Sequence, residues 1–173
     1  MERQSERLAV ILKEIAAFVD QDPHQHWSDE HVRWELYQRA LEVDKLHGAL
    51  REALAVEPDE GVASSVVLLA FGRVPDLDRM LVWVNALPER HRGFVEKMAH
   101  ESAVLRSLCD GSFSGDIRLD EWTHWLQRQA AELAVVRRVL VQLARDGQTR
   151  KIRNIAGERL RVGDRRVDWA DGI

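Results

Sequence analysis

The chain has a single cysteine among its 173 residues, Cys109, so it can close no intramolecular disulfide and offers no cysteine-rich zinc site. Proline and glycine are scarce, at 4 and 10 residues, and fall mostly between periodic stretches. That is the punctuation of helices joined by short turns. No run of about 18 apolar residues occurs, which excludes a membrane span. The opening stretch MERQSERLAV mixes charges and then turns periodic, not continuously apolar, unlike a secretory signal. These absences lead us to expect a soluble protein in the reducing cytoplasm.

The motifs of several chemistries are missing too. There is no G-x-x-x-x-G-K-[ST] or G-x-G-x-x-G loop, so no known glycine loop for nucleotides. The serines at 64, 65, 102, 107, 112 and 114 lack a G-x-S-x-G context. The glycine-bearing stretch GSFSG at 111–115 has no following lysine and reads as a structural or contact loop. Nor does any segment alternate apolar and polar residues long enough for a strand.

Helical periodicity is what remains. Leu8, Ile11, Leu12, Ile15, Phe18 and Val19 recur at three and four, forming one apolar stripe over 3–20. Ser28 starts a second helix with the stripe Leu36, Ala40, Val43, His47, Leu50 and Leu54, bent near Gly48. Pro58 suits the first turn of a third, whose segment VASSVVLLAF is apolar nearly all round and belongs in the middle of the fold. Asp76 caps a short helix, and Pro88 opens the next, with Phe94, Val95, Met98, Leu105 and Leu108 inward. Asp110-Gly111 stops it. A long helix is expected from Asp120 to Asp146, ended by Gly147, and a last one over 149–161. The expectation is an all-α fold of about seven helices stacked as antiparallel pairs, with one domain at 1–161 and a mobile tail at 162–173.

Net charge is −4 overall but uneven: −8 over residues 1–117 and +4 over 118–173. Residues 137–166 hold ten Lys and Arg against three Asp and Glu. The cluster is Arg137, Arg138, Arg145, Arg150, Lys151, Arg153, Arg159, Arg161, Arg165 and Arg166, nearly all arginine. Arginine favours bidentate contact with carboxylate or phosphate. We take Arg137, Arg138, Arg145, Arg150, Lys151, Arg153 and Arg161, with Trp169, as the expected partner-binding set. A solvated helix face is the plainer alternative.

The histidines and tryptophans add little chemistry. His24, His26 and His31 flank Trp27, but a metal site needs three or four converging ligands, and the plainer reading is a polar linker. Glu96 and His100 share a helix face without a third group, and Glu101 adjoins them. Cys109 lies at a helix C-terminus, where the dipole disfavours a thiolate. Six tryptophans against one tyrosine is unusual; Trp83, Trp122 and Trp125 read as core, Trp27 and Trp34 less clearly so. No catalytic residue, cofactor or metal is expected, so the chain reads as a non-enzyme.

Three helix ends look alike: REALAVEPD at 51–59, LRSLCDG at 105–111 and LVQLARDG at 140–147. The first and third precede helices with similar inner faces, Val62, Val66 and Leu69 against Ile152, Ala156 and Leu160. Such pairs cannot bury themselves alone and must stack. LARDGQTRKIRNIAGERL in particular resembles the HEAT and armadillo class of helical repeats, over about half the chain; an irregular bundle is the alternative. The resemblance implies a binding scaffold, here a protein-interaction module such as an adaptor or a small inhibitor or immunity-type protein, meeting a partner with an acidic patch. Nucleic-acid binding by the C-terminal arginines is the second expectation.

Overall fold

The computed structural model describes the backbone of residues 2–23 and 26–170, and side chains over 3–23 and 26–162. The fold is all-α. The described residues form nine α-helices and two 3₁₀ turns, with no strand. They are α1 (Glu2–Phe18), α2 (Glu30–Leu41), α3 (His47–Leu54), α4 (Glu60–Phe71), α5 (Leu77–Val84), α6 (Arg92–Asp110), α7 (His124–Leu133), α8 (Arg137–Asp146) and α9 (Arg150–Ala170). The chain divides into two compact units, Met1–Ala99 and His100–Ile173. Among the described residues no helix is long and apolar enough to cross a membrane.

Nine helices stand where about seven were expected, because two long stretches each break once. After Leu41, Val43 takes an extended conformation (φ −121°, ψ 101°), and a 3₁₀ turn at Asp44–Leu46 leads into α3. A β-branched residue gives up little by leaving the helix. The bend therefore precedes Gly48, which lies in the first turn of α3. The second break falls at Ala134–Val136, where the Val135 N–H leaves the helix for the Leu108 carbonyl at 2.9 Å. The helix expected from Asp120 begins instead at His124, capped by Thr123, whose hydroxyl accepts from the Leu126 N–H at 3.2 Å. The last helix passes the expected end at 161 and continues to Ala170.

In the first unit, α1 packs on α2 and α3, and α4 lies against α2 and α5. An element with neighbours on two sides must be apolar on more than one face, as α4 is. Its inward residues are Ala63, Val66, Val67, Ala70 and Phe71, while Leu69 faces out. Phe94 also faces out, 65% exposed; Val95 and Ala99 are the fully buried α6 residues here.

Helices α2 and α4 are copies thirty residues apart. Each has 12 residues and an Asp N-cap, Asp29 and Asp59. Their buried positions correspond one to one: 33, 36, 37, 40 and 41 against 63, 66, 67, 70 and 71. Helices α3 and α5, 8 residues each, keep the same offset, with Leu50, Ala53 and Leu54 matched by Met80, Trp83 and Val84. Even the turns agree: the N–H groups of Val56 and Glu57 bond back to Ala53 and Leu54, as those of Ala86 and Leu87 do to Trp83 and Val84. Pro58 and Pro88 follow. α6 starts a third copy two residues late, with Val95 and Ala99 at the places of Ala63 and Val67.

In the second unit α8 and α9 form a hairpin on which α7 packs. Its core holds Leu108, Trp122, Leu126, Leu143, Ile152 and Ala156. Trp125 turns outward, 37% exposed. Gly147 makes the hairpin turn possible: a Cβ there would lie 2.5 Å from the Leu143 carbonyl oxygen and 2.8 Å from Ile152 Cγ2. Glu101 is buried and accepts from both the N–H and the hydroxyl of Thr123, fixing the start of α7. Gln127, also buried, donates to the Leu119 carbonyl at 2.7 Å and accepts from the Gln148 N–H at 2.9 Å.

Candidate functional site

The repeat exposes a departure from itself. Where the second copy has Ala63, Val67 and Leu87, the first has Arg33, Tyr37 and Glu57. All three are buried, the Arg33 and Glu57 side chains at 5% and 0% exposure. Arg33 donates from Nε and Nη2 to the Glu57 carboxylate, the latter at 2.8 Å, and from Nη1 to the Trp27 carbonyl at 2.8 Å. The Tyr37 hydroxyl donates to Glu57 Oε2 at 2.6 Å, and the Asp59 N–H to Oε1 at 3.0 Å. A buried carboxylate is tolerable only when its lone pairs are met this fully.

The electrostatics follow from burial. Desolvation works to lower the Arg33 pKa, but hydrogen bonding and charge from Glu57 outweigh it and leave the guanidinium above its ordinary value. Desolvation first, then the Glu57 charge, pushes the Tyr37 phenol far above its usual range. Tyr37 stays neutral and Arg33 charged at any ordinary pH.

Arg33 and Glu57 form part of the wall of a pocket of about 760 Å³. α1 supplies Gln4, Ser5, Leu8 and Ala9 on one side. Three successive inter-helix turns supply the other: Trp27-Ser28, then Val56 and Pro58, then Pro88 and Arg90. The pocket therefore runs across the repeat, one turn per copy. The Trp27 Nε1 atom is buried with no acceptor. None of these residues stood in the expected partner-binding set.

That set lies on α8 and α9, where many of its arginines serve the fold itself. Arg138 donates to the carbonyls of Phe113 and Gly115 at 3.1 and 3.0 Å and lies over the Phe113 ring. Arg153 donates to the Gly147 carbonyl, and Arg159 to that of Ala131. Arg145 pairs with Asp146 at 2.7 Å, and Arg161 with Glu158 at 3.1 Å. Arg137 is exposed at the start of α8. Arg150 and Lys151, adjacent at the start of α9, are exposed and make no hydrogen bond or ion pair with the described side chains. The Trp169 side chain lies outside the described residues, as do those of Arg165 and Arg166.

A second, smaller pocket of about 420 Å³ opens beside α3 and α5. Its wall includes His47, Arg51, Arg73, Arg79 and Trp83. His47 meets Trp83 edge-on with centroids 5.2 Å apart, and Arg51 lies over the Trp83 ring at 5.6 Å. His47 Nε2 is 3.1 Å from the Leu41 carbonyl oxygen, which suits a protonated Nε2.

The remaining candidates are scattered. His26 and His31 are exposed, His31 lying 3.5 Å from Asp29, and His24 lies outside the described residues. Among the described residues no group of three or more His, Cys, Asp or Glu could hold a metal ion. Glu96 and His100 are exposed on α6 without a bond between them, while Glu101 holds Thr123, the cap of α7. Partial desolvation and the Asp110 charge push the thiol of the exposed Cys109 up, away from the thiolate. Comparisons with protein-family models, curated proteins and solved structures find nothing that matches the chain.

Proposed function

We propose that this chain is a non-catalytic protein-interaction module, an adaptor or a small inhibitor, that receives a segment of a partner protein across the turns of its helix pairs. The observation that supports this is the pocket itself. It crosses three consecutive copies of one turn, its wall mixes apolar side chains with the mutually bonded Arg33 and Glu57, and Trp27 Nε1 is left there without an acceptor. Stacked helix pairs are built to offer such extended surfaces, and the pairing of α2–α3 with α4–α5 favours kinship of form with HEAT-like repeats. Filling the pocket should abolish partner capture while the fold persists. With the chain as bait, affinity capture and mass spectrometry should recover a protein that Ala9→Trp fails to recover. Recovery of nucleic acid with no protein would overturn the reading.

A second reading, a nucleic-acid scaffold, draws on Arg150 and Lys151, the unpaired cations at the start of α9. It expects binding that weakens steeply with salt and fails on Arg150→Glu with Lys151→Glu. Oligonucleotide binding indifferent to both would exclude it.

A further inference from the structure

The pocket between α3 and α5 also departs from the repeat, and in one chemical direction. The thirty-residue offset pairs His47 with Leu77, Arg51 with Leu81, Arg73 with Val43 and Arg79 with Ala49. At each of these places one copy holds an aliphatic residue and the other a nitrogen base. The four bases line a single concavity. The architecture is satisfied by aliphatic residues at these positions, so it does not by itself call for the arginines.

From this convergence we propose that the pocket is a binding site for a compact dianionic oxyanion, the phosphate monoester group. Arg51 is its anchor. The Arg51 guanidinium carbon lies over the Trp83 ring, 5.6 Å from its centroid, and the group makes no hydrogen bond or ion pair with any described residue. The cation–π contact holds the charge at the pocket wall and leaves its N–H donors for a bidentate acceptor. Trp83 is itself only 3% exposed, so the platform is part of the core and does not swing.

Arg73 and Arg79 complete the site from the second copy. Arg73 contacts the Leu69 carbonyl at 3.4 Å and pairs with Glu42; Arg79 lies 3.8 Å from Asp76. Glu42 and Asp76 are 65% and 53% exposed, so both are weak surface pairs that an incoming anion can displace. Asp44, fully exposed and 3.9 Å from His47, is itself part of the pocket wall, and Glu42 and Asp76 pair with two of its arginines. These carboxylates repel any anion, so a ligand must gain enough from the arginines to displace them, and a singly charged carboxylate gains least. A doubly charged phosphate with three acceptor oxygens gains more from each arginine. The site is independent of the larger pocket, and either can fail without the other.

The test uses the whole chain and Arg51→Leu, which installs the residue of the next copy and should fold. Inorganic phosphate and a phosphoserine peptide are titrated against both by calorimetry, with chloride at matched ionic strength as the blank. We expect saturable binding of the phosphoryl probes, weakened about tenfold or more in Arg51→Leu. Arg118→Glu, at an exposed position in the other unit, should leave it unchanged. Tighter binding of the peptide than of phosphate would mark a protein-borne group, and equal binding a free one. Affinity no different between wild type and Arg51→Leu overturns the proposal, as does phosphate behaving like chloride. A single-stranded oligonucleotide bound more tightly than either phosphomonoester would overturn the monoester assignment.

Discussion

The helix pair 30–54 and the helix pair 60–84 share lengths, aspartate caps and inward positions, yet fill those positions with different chemistry. Between α2 and the turn after α3, the first pair buries an arginine, a tyrosine and a glutamate; the second buries alanine, valine and leucine at the same places. The second copy is the control that nature supplies for the first. It indicates that the backbone geometry does not need the buried charges, and that what they add is local: a bonded, polar wall to the larger pocket. The same comparison isolates Arg51 and its neighbours on the opposite helices.

The largest test of this equivalence is to break the cluster by halves. Glu57→Leu alone strands the Arg33 charge and should cost about 3–5 kcal/mol in urea unfolding followed by circular dichroism. The triple change Arg33→Ala, Tyr37→Val and Glu57→Leu rewrites the first copy as the second. It should return to within about 2 kcal/mol of wild type. A triple variant as unstable as the single one would show that the copies are not interchangeable.

The turns give the next comparison. Pro58 and Pro88 follow hydrogen-bonded turns that hold no glycine, whereas Gly147 admits no Cβ against Leu143 and Ile152. Gly147→Ala should cost about 1–3 kcal/mol through overpacking, and Pro58→Ala under about 1 kcal/mol through the unfolded chain. Similar losses at the two sites would contradict the close approach at Gly147.

The caps should behave alike in both copies. Asp59→Ala removes the acceptor for the Val62 N–H and should cost about 1 kcal/mol. Asp29→Ala should act in the same direction. The Asp29 carboxyl is held below its ordinary value chiefly by the His31 backbone N–H it accepts from. Its contribution is therefore complete above pH about 4 and is lost as pH falls through the depressed value. Melting the wild type beside Asp29→Asn, whose amide caps without charge, should show a difference at neutral pH that fades in acid.

The smallest effect concerns Cys109. With its thiol pushed up by partial desolvation and by Asp110, alkylation at neutral pH should be slower than for a free cysteine, and Asp110→Asn should hasten it. Unchanged rates in Asp110→Asn would remove the second of those causes.

Much of the fold was legible in the sequence. Leu8, Ile11, Leu12 and Ile15 of α1, the Asp76 cap and the stops at Gly111 and Gly147 appear where periodicity and punctuation place them, but Phe18, read into the same stripe, is 56% exposed. The breaks at Val43 and Val136 were not legible, because both valines keep helical spacing with their neighbours; at the second, the bond from the Val135 N–H to the Leu108 carbonyl takes the backbone away, a contact that spacing does not reveal. Phe94 and Leu69 read as inward by type and spacing, but their helices turn other faces to the core. The buried cluster was hidden for the opposite reason: Arg33 and Glu57 look like surface residues until each is seen to satisfy the other. A signal was present in the matched offsets of Asp29 and Asp59 and of Pro58 and Pro88. The recurrence at three helix ends drew attention to other places.

The thirty-residue offset carries a rule for how this unit could change length. Inserting one whole copy after Pro88 would keep every cap, inward side chain and proline in phase, and would lengthen the larger pocket by one turn. Inserting a single residue within α4 would rotate all that follows by about 100° and turn the buried face toward water. Growth by modules is therefore open to this chain, and growth by residues is not.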